Sequence, residues 1–334
     1  MARLSRFLLA LVLALSGCGG DDGPTTAGPL IEAGSTPSGI ARGAAGVPDI
    51  VLVMKTLTNP FFVEMERGAR RAEAELGVNL SVRTAAQETS IEQQIEIVRR
   101  QIEAGVDAIV IAPGDSVELI PVLKQARDAG IQVINIDNRL DPELSARQGL
   151  RDVPFISVDN EQGAYLAARH ISQRITTPTQ VAILEGIRGA VNAEDRKNGA
   201  LRAFAENPHG HVVARETANW KIDEGYEMTR ELFARHPDLG ALFAANDMMA
   251  LGAIQYLRET GRDGEVLVAA FDALEEAMPA LRTGSLAVTI DQQAAEQGYL
   301  GVQYAVRALA GEALPGETVI DVLVVDATWL AANR

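Results

Sequence analysis

Lys55-Thr56-Leu57-Thr58-Asn59-Pro60-Phe61-Phe62 is the stretch on which the fold turns. It follows an apolar run, Ile50 to Met54, and precedes a segment with Met65, Ala69, Ala72 and Leu76 at helical spacing and Gly77 at its end. Asn59 fits a helix N-cap, and Pro60 fits the first helical position, where a missing N–H costs nothing. A strand therefore ends here and a helix begins. In an open parallel α/β sheet, ligands bind in the crevice beyond the carboxyl ends of the strands. Two rings and an amide at that spot suit a ligand with apolar faces and hydroxyl edges. Core burial is the competing reading of Phe61 and Phe62, but adjacent helical residues diverge by about 100°, so a narrow core stripe does not readily take both.

The same alternation continues in both directions along the chain. Strands are predicted over 78–82, 106–112, 131–136 and 155–158, with 106–112 apolar enough to be buried on both faces. Ser90-Ile91-Glu92-Gln93 reads as a capping box, opening a helix with Ile91, Ile95, Val98 and Ile102 inward. Asp115 or Ser116 is expected to cap the next helix, and 141–154 reads as a loop. A second series places strands at 181–184, 211–215, 241–244, 266–271 and 286–290, with helices beginning near Asn192, Asp223, Asp247, Leu274 and Gln293. A strand over 319–325 ends the pattern. Two similar doubly wound parallel-sheet α/β domains with a cleft between them follow from this recurrence. Three chain crossovers, near 153–160, Gln292 and Asp321, are expected to form the hinge. The predicted lobes are 48–156 plus 293–321 and 157–292 plus 322–334.

The amino terminus reads separately. Arg3 and Arg6 precede an apolar run from Phe7 to Leu15, too short for a transmembrane helix and of the right length for a signal peptide over 1–17. Leu15-Ser16-Gly17-Cys18 resembles the bacterial lipobox, which implies lipidation of Cys18, the single cysteine of the chain. The Gly-, Pro-, Ala-, Ser- and Thr-rich segment up to residue 47 reads as a flexible tether with an r.m.s. reach on the order of 30 Å. A composition 47% hydrophobic and 22% charged is that of a soluble globule, and a net charge of -15 disfavours nucleic acid and anionic membrane surfaces as partners.

The residues just past the strands carry the functional signal. They are Lys55 and Asn59, Asp115, and Asp137, Asn138 and Arg139 in the first half. In the second half they are Arg188, Asn192, Glu194 and Arg196, then Trp220, Asn246, Asp247, Asp272 and Gln292. Planar carboxylates, amides and guanidinium groups can each bridge neighbouring hydroxyls. Aromatic residues make up only 4% of the chain, yet Phe61, Phe62 and Trp220 are predicted at this rim. Helix capping is the competing role for Asn59, Asp115 and Asp247. No Gly-x-x-x-x-Gly-Lys, no Gly-x-Gly-x-x-Gly after a strand and no Gly-x-Ser-x-Gly elbow is present. His209 and His211 read as a surface turn without a third metal ligand. No catalytic residue, metal or cofactor is expected.

The sequence resembles the ribose-binding protein family of periplasmic ABC-importer components from about residue 48 to 326. The motifs carrying the resemblance are Thr58-Asn59-Pro60-Phe61-Phe62, Asp137, Gly186-Ile187-Arg188-Gly189, Asn246-Asp247-Met248-Met249-Ala250-Leu251-Gly252-Ala253, Phe271-Asp272 and Thr289-Ile290-Asp291-Gln292. It implies that Asn59, Phe61, Phe62, Asp137, Trp220, Asn246, Asp272 and Gln292 face a ligand, with Trp220 standing where the family often has phenylalanine. Asn138, Arg139, Asn192, Glu194 and Arg196 complete the expected site. Ribose binders follow the aspartate at 137 directly with arginine, whereas this chain has Asn138 and only then Arg139. They also place a sugar-binding arginine where this chain has Glu194, and Arg196 matches a second one. The hydroxyl pattern read by the site therefore differs, and a pentose, a hexose and a cyclitol are all open. The resemblance implies a monomeric, lipid-anchored, periplasmic solute-binding protein that passes its sugar or polyol to an ABC permease. A sensor presenting its ligand to a membrane receptor, or a carbohydrate-modifying enzyme, would use the same cleft.

Overall fold

A computed structural model describes residues 46–333. The expected signal peptide, Cys18 and all but the last two residues of the tether lie outside the described residues. In chain order the elements are β1 (Asp49–Met54), α1 (Pro60–Leu76), β2 (Asn79–Thr84), α2 (Ile91–Ala104), β3 (Ala108–Ile111), α3 (Ile120–Asp128), β4 (Gln132–Ile136), α4 (Pro142–Arg147) and β5 (Phe155–Val158). Then come α5 (Asn160–Ser172), β6 (Thr179–Glu185), α6 (Val191–Ala205), β7 (Gly210–Thr217), α7 (Ile222–Arg235), β8 (Leu239–Ala244), α8 (Asp247–Glu259) and β9 (Leu267–Ala269). The chain ends with α9 (Met278–Thr283), β10 (Val288–Asp291), α10 (Ala294–Leu309), β11 (Glu317–Ile320), β12 (Leu323–Asp326) and α11 (Ala327–Ala332).

Two six-stranded sheets result, ordered β2-β1-β3-β4-β5-β11 and β7-β6-β8-β9-β10-β12. The first is parallel throughout; the second is parallel except for β12, which runs antiparallel to β10 at the edge. Both sheets repeat one order, with the reversal between β1 and β3 in one and between β6 and β8 in the other. Those reversals are the topological switch points at which open α/β sheets take ligands. The chain passes between sheets after β5, between β10 and α10, and between β11 and β12.

Asn59 caps α1 and Gly77 ends it in the left-handed conformation, as its sequence requires. Other expectations are corrected. Ser90 makes no capping bond: its ψ of 63° lies outside the extended range of an N-cap, and Gln93 instead accepts the Ala86 N–H at 2.7 Å. On α2 only Val98 of the four expected apolar residues is fully buried, while Gln94 is buried because it bonds Ala112 O and Gly114 N. Asp115 caps no helix; its Oδ1 accepts from Val117 and Glu118 N in a turn, and α3 starts only at Ile120. The 141–154 loop contains α4, capped by Asp141. The single strand expected over 319–325 is two strands in different sheets, because the chain crosses between sheets at 321–322. Asn246, not Asp247, caps α8.

Candidate functional site

β1 is buried almost throughout and delivers Lys55 to the crevice at its carboxyl end. Asn59 is used twice: Oδ1 accepts the Phe61 N–H at 3.0 Å, and Nδ2 donates to Glu88 Oε1 at 2.9 Å. The rings of Phe61 and Phe62 meet edge to face at 5.1 Å, and both are buried. Both line the cavity and both also belong to the buried core, so the core reading and the ligand-facing reading hold together. Lys55 Nζ sits 5.5 Å from the Phe62 ring centroid and 2.8 Å from Asp137 Oδ2.

The second lobe contributes a knot of planar groups around Arg196. Its Nε donates to Asn160 Oδ1 at 2.9 Å, Nη1 to Ala245 O at 2.9 Å and Asp272 Oδ1 at 3.4 Å, and Nη2 to Gln292 Oε1 at 3.1 Å. Gln292 Nε2 closes the ring of contacts onto Asp272 Oδ1 at 2.6 Å. The guanidinium lies 3.8 Å from the Phe271 ring centroid and 5.4 Å from that of Trp220. A planar fork with five donors suits this set, and an ammonium does not. Asn246 caps α8 through Oδ1 and donates through Nδ2 to Trp220 O at 3.2 Å, fixing the indole loop. The indole itself lies on Gly186, where a Cβ would come within 2.0 Å of Trp220 Cζ2, so only glycine fits there.

These groups surround a tight cavity of about 20 Å³. The first lobe lines it with Lys55, Asn59, Phe61, Phe62, Glu88 and Asp137, and the second with Asn192, Arg196, Trp220, Asn246, Asp272 and Gln292. That volume falls below the roughly 300–1,000 Å³ of drug-sized sites. It is on the order of the space that one water molecule needs. Trp220 Nε1 and Asn192 Oδ1 are buried without a hydrogen-bond partner, so the cavity offers a donor and an acceptor to what enters. Backbone strain gathers here too. Asp137, Trp220 and Asp272 have φ of 64°, 65° and 120°, and Asn219, Ala273 and Gln293 beside them are also positive. Such conformations are held by surrounding structure and cluster at binding sites.

Burial governs the electrostatics. It pushes the Glu88 carboxyl up to about 7, with Lys55 and the Asn59 amide pulling the other way. Burial also raises Asp272 and lowers Arg196, each partly offset by the other's charge. Asp247, held by Thr289 and the Leu274 N–H beneath the site, is raised to about 7 by burial as well. Two basic side chains, Lys55 and Arg196, thus face Asp137, Asp272 and Glu88, with Lys55 paired to Asp137 and Arg196 to Asp272. A lining whose basic and acidic groups are paired with one another suits an uncharged ligand.

Three expected residues stand apart from the cavity. Asn138 is fully buried beside it, bonded to Pro113 O at 3.1 Å and to Ser116 Oγ at 3.2 Å. Arg139 turns away, stacking 4.4 Å over Phe155 and pairing with Glu317. Glu194 pairs with Lys197 on the outer side of α6. Glu194 and Arg196 are two residues apart, about 200° on a helix, so they cannot share a face, whereas Asn192 and Arg196 at i, i+4 do. Lys55 and Glu88 line the cavity without having been placed in the expected site. Glu88 lies four residues beyond β2, and a survey of that strand's carboxyl end would have found it. Among the described residues, no group of three or more His, Cys, Asp or Glu side chains could hold a metal ion.

Two α/β lobes closed on a small polar cavity at their switch points define a cleft-type solute receptor. The chain belongs to the family of the periplasmic binding protein domain, which matches residues 50–313. The D-ribose/D-allose-binding protein of Pseudomonas aeruginosa is 41% identical over 267 residues, 79% of this chain and 83% of that protein. The ribose import binding protein of Salmonella typhimurium is 31% identical over 298 residues, 89% of this chain and 96% of that protein. An ABC transporter periplasmic solute-binding protein of Actinobacillus succinogenes, solved with bound D-allose, is similar with a TM-score of 0.81 at 36% identity, covering 86% of this chain and 100% of that one.

Proposed function

We propose that this protein captures an uncharged monosaccharide or cyclitol between its lobes and delivers it to an ABC importer. The observation that carries this is the cavity itself, with aromatic rings on its walls and carboxylate, amide and guanidinium groups at its edges. Phe62 and Trp220 cover the C–H faces of the ring, and Asp137, Arg196, Asp272, Gln292 and Asn192 read its hydroxyls. The names carried by its relatives, for D-ribose and D-allose, support the same class. Binding rather than turnover is the role of the site, since its charged groups are committed to one another and none stands as a nucleophile beside a base. Capture proceeds by closure of the two lobes about the three crossovers, favoured by contacts that each lobe makes to the same ligand.

Cys18 anchors the protein to the envelope by a lipid, and the closed, loaded form is what the permease recognises. Isothermal titration with D-ribose, D-allose, other pentoses and hexoses, and myo-inositol tests the central reading. Saturable heat from at least one is expected, and heat from none would overturn it. Ligand recovered unchanged after long incubation is the expected result against turnover. Loss of membrane association on Cys18→Ala is the expected result for the anchor.

A further inference from the structure

Helix α6 of the second lobe has no side chain of its own at its start: Ala190 occupies the N-cap position and makes no capping bond. Its first amides are instead met from the first lobe. Val191 N donates to Ser116 Oγ at 3.0 Å, and Asn192 N donates to Asn138 Oδ1 at 3.2 Å. Ser116 and Asn138 are 2% and 0% exposed and bond each other, so the two acceptors form one rigid unit. Their lobe holds them firmly. The Asp115 turn presents Ser116, Asn135 Nδ2 donates to Asn138 O at 2.8 Å, and the Gln94 side chain ties down Gly114. The opposing surface is shaped for the approach. Gly189 has φ of 101°, and a Cβ there would lie 3.1 Å from Asp115 Oδ2.

We propose that Ser116 and Asn138 are a closure latch, capping α6 from the opposite lobe and thereby positioning Asn192 at the cavity. The proposal rests on the sugar-binding reading only for its effect on affinity. Neither residue lines the cavity, yet Asn192 does, and its buried Oδ1 has no partner in the protein. The bond to the Asn192 amide exists only when the lobes are together. Closing and the seating of Asn192 are therefore one event. It also gives the Asp137-Asn138 step a division of labour, since the positive φ of Asp137 turns its carboxylate to the cavity and the next side chain to the other lobe.

Because the latch forms only on closure, its loss should raise the rate of ligand escape and leave the rate of encounter alone. The test compares the full-length protein with Ser116→Ala and Asn138→Ala, using D-allose as probe. Each variant should bind about five- to tenfold more weakly, the change lying in the off-rate, as expected for one interlobe hydrogen bond. Ser116→Thr, which keeps the hydroxyl, should restore most of the affinity. Unchanged affinity in both alanine variants, or a loss confined to the on-rate, would overturn the latch. A second measurement reads the latch itself: hydrogen exchange of the Val191 and Asn192 amides with each protein saturated with D-allose. Faster exchange in the variants supports the latch, and equal exchange counts against it. If D-allose binds none of the proteins, the ligand assignment fails for this sugar, and D-ribose replaces it as the probe in both measurements.

Discussion

Lys55 Nζ lies 2.8 Å from Asp137 Oδ2 between two side chains that are each 3% exposed. The pair joins the residue after β1 to the residue after β4 across the floor of the first lobe's crevice. Removing one partner of a buried ion pair leaves an uncompensated charge, a loss on the order of 3–5 kcal/mol. Lys55→Met should therefore destabilise the protein by about that much in urea unfolding. The Lys55→Met/Asp137→Asn double variant should recover a large part of it, since no charge is then stranded. Additive losses in the double variant would show that the two groups do not act as a pair.

Arg196 poses the same question in the second lobe. Its four bonded acceptors, Asn160, Ala245, Asp272 and Gln292, are arranged around one planar group stacked on Phe271. Arg196→Lys keeps the charge but cannot reach all four, and hydrogen bonds to charged groups contribute ~1.5–3 kcal/mol each. A stability loss on the order of 3 kcal/mol is expected, together with at least tenfold weaker sugar binding. Calorimetric unfolding and titration of the purified variant decide this. A loss below about 1 kcal/mol would mean that charge alone, not the fork, holds the knot.

The fold was legible because its signals are local. The strand-to-helix step at Asn59-Pro60, the glycine stop at Gly77 and the apolar run at 106–112 each act within a few residues, and periodicity carried them into two α/β lobes. What was not legible depends on partners far along the chain. Nothing near Asp115 reveals that its turn presents Ser116 to the Val191 amide of the other lobe. At the site, the residues past the strands carry the right kinds of groups, but helix phase decides which reach the cavity. Arg196 and Asn192 share one face of α6, and Glu194 lies on the other. Asn138 was picked out by its departure from the ribose pattern, yet its side chain meets the second lobe's backbone.

Trp220 separates a ring's contribution from that of its N–H. Nε1 is buried without a partner, so a bound ligand would supply the acceptor. Trp220→Phe keeps most of the apolar surface and removes the donor, and about five- to tenfold weaker binding is expected from one missing hydrogen bond. Trp220→Ala removes the wall as well and should weaken binding by a further order of magnitude at least, with the fold retained by circular dichroism. Equal affinity of wild type and Trp220→Phe would show that the indole serves only as a surface.

Glu88 gives the protein a pH signature with a defined sign. Its carboxyl is raised from 4.5 to about 7 in the folded state, chiefly by burial, so between those values the folded protein holds a proton that the unfolded chain has released. The associated stability is fully present below about 4.5 and is lost as pH rises through about 7. Asp247, raised from 3.8 to about 7, and Asp272, also raised, act in the same direction. The unfolding free energy contributed by these groups should thus fall from pH 5 towards pH 7.5, with at most ~1.4 kcal/mol per pH unit from each. Glu88→Gln removes one group's share and retains the acceptor for Asn59 Nδ2. Subtracting the two stability-pH curves isolates Glu88 from every other titrating residue. The variant should gain on wild type as pH rises through this window and hold a constant advantage above it. A flat difference curve would mean that Glu88 titrates as an ordinary carboxylate, and that the cavity is more open to water than its walls indicate.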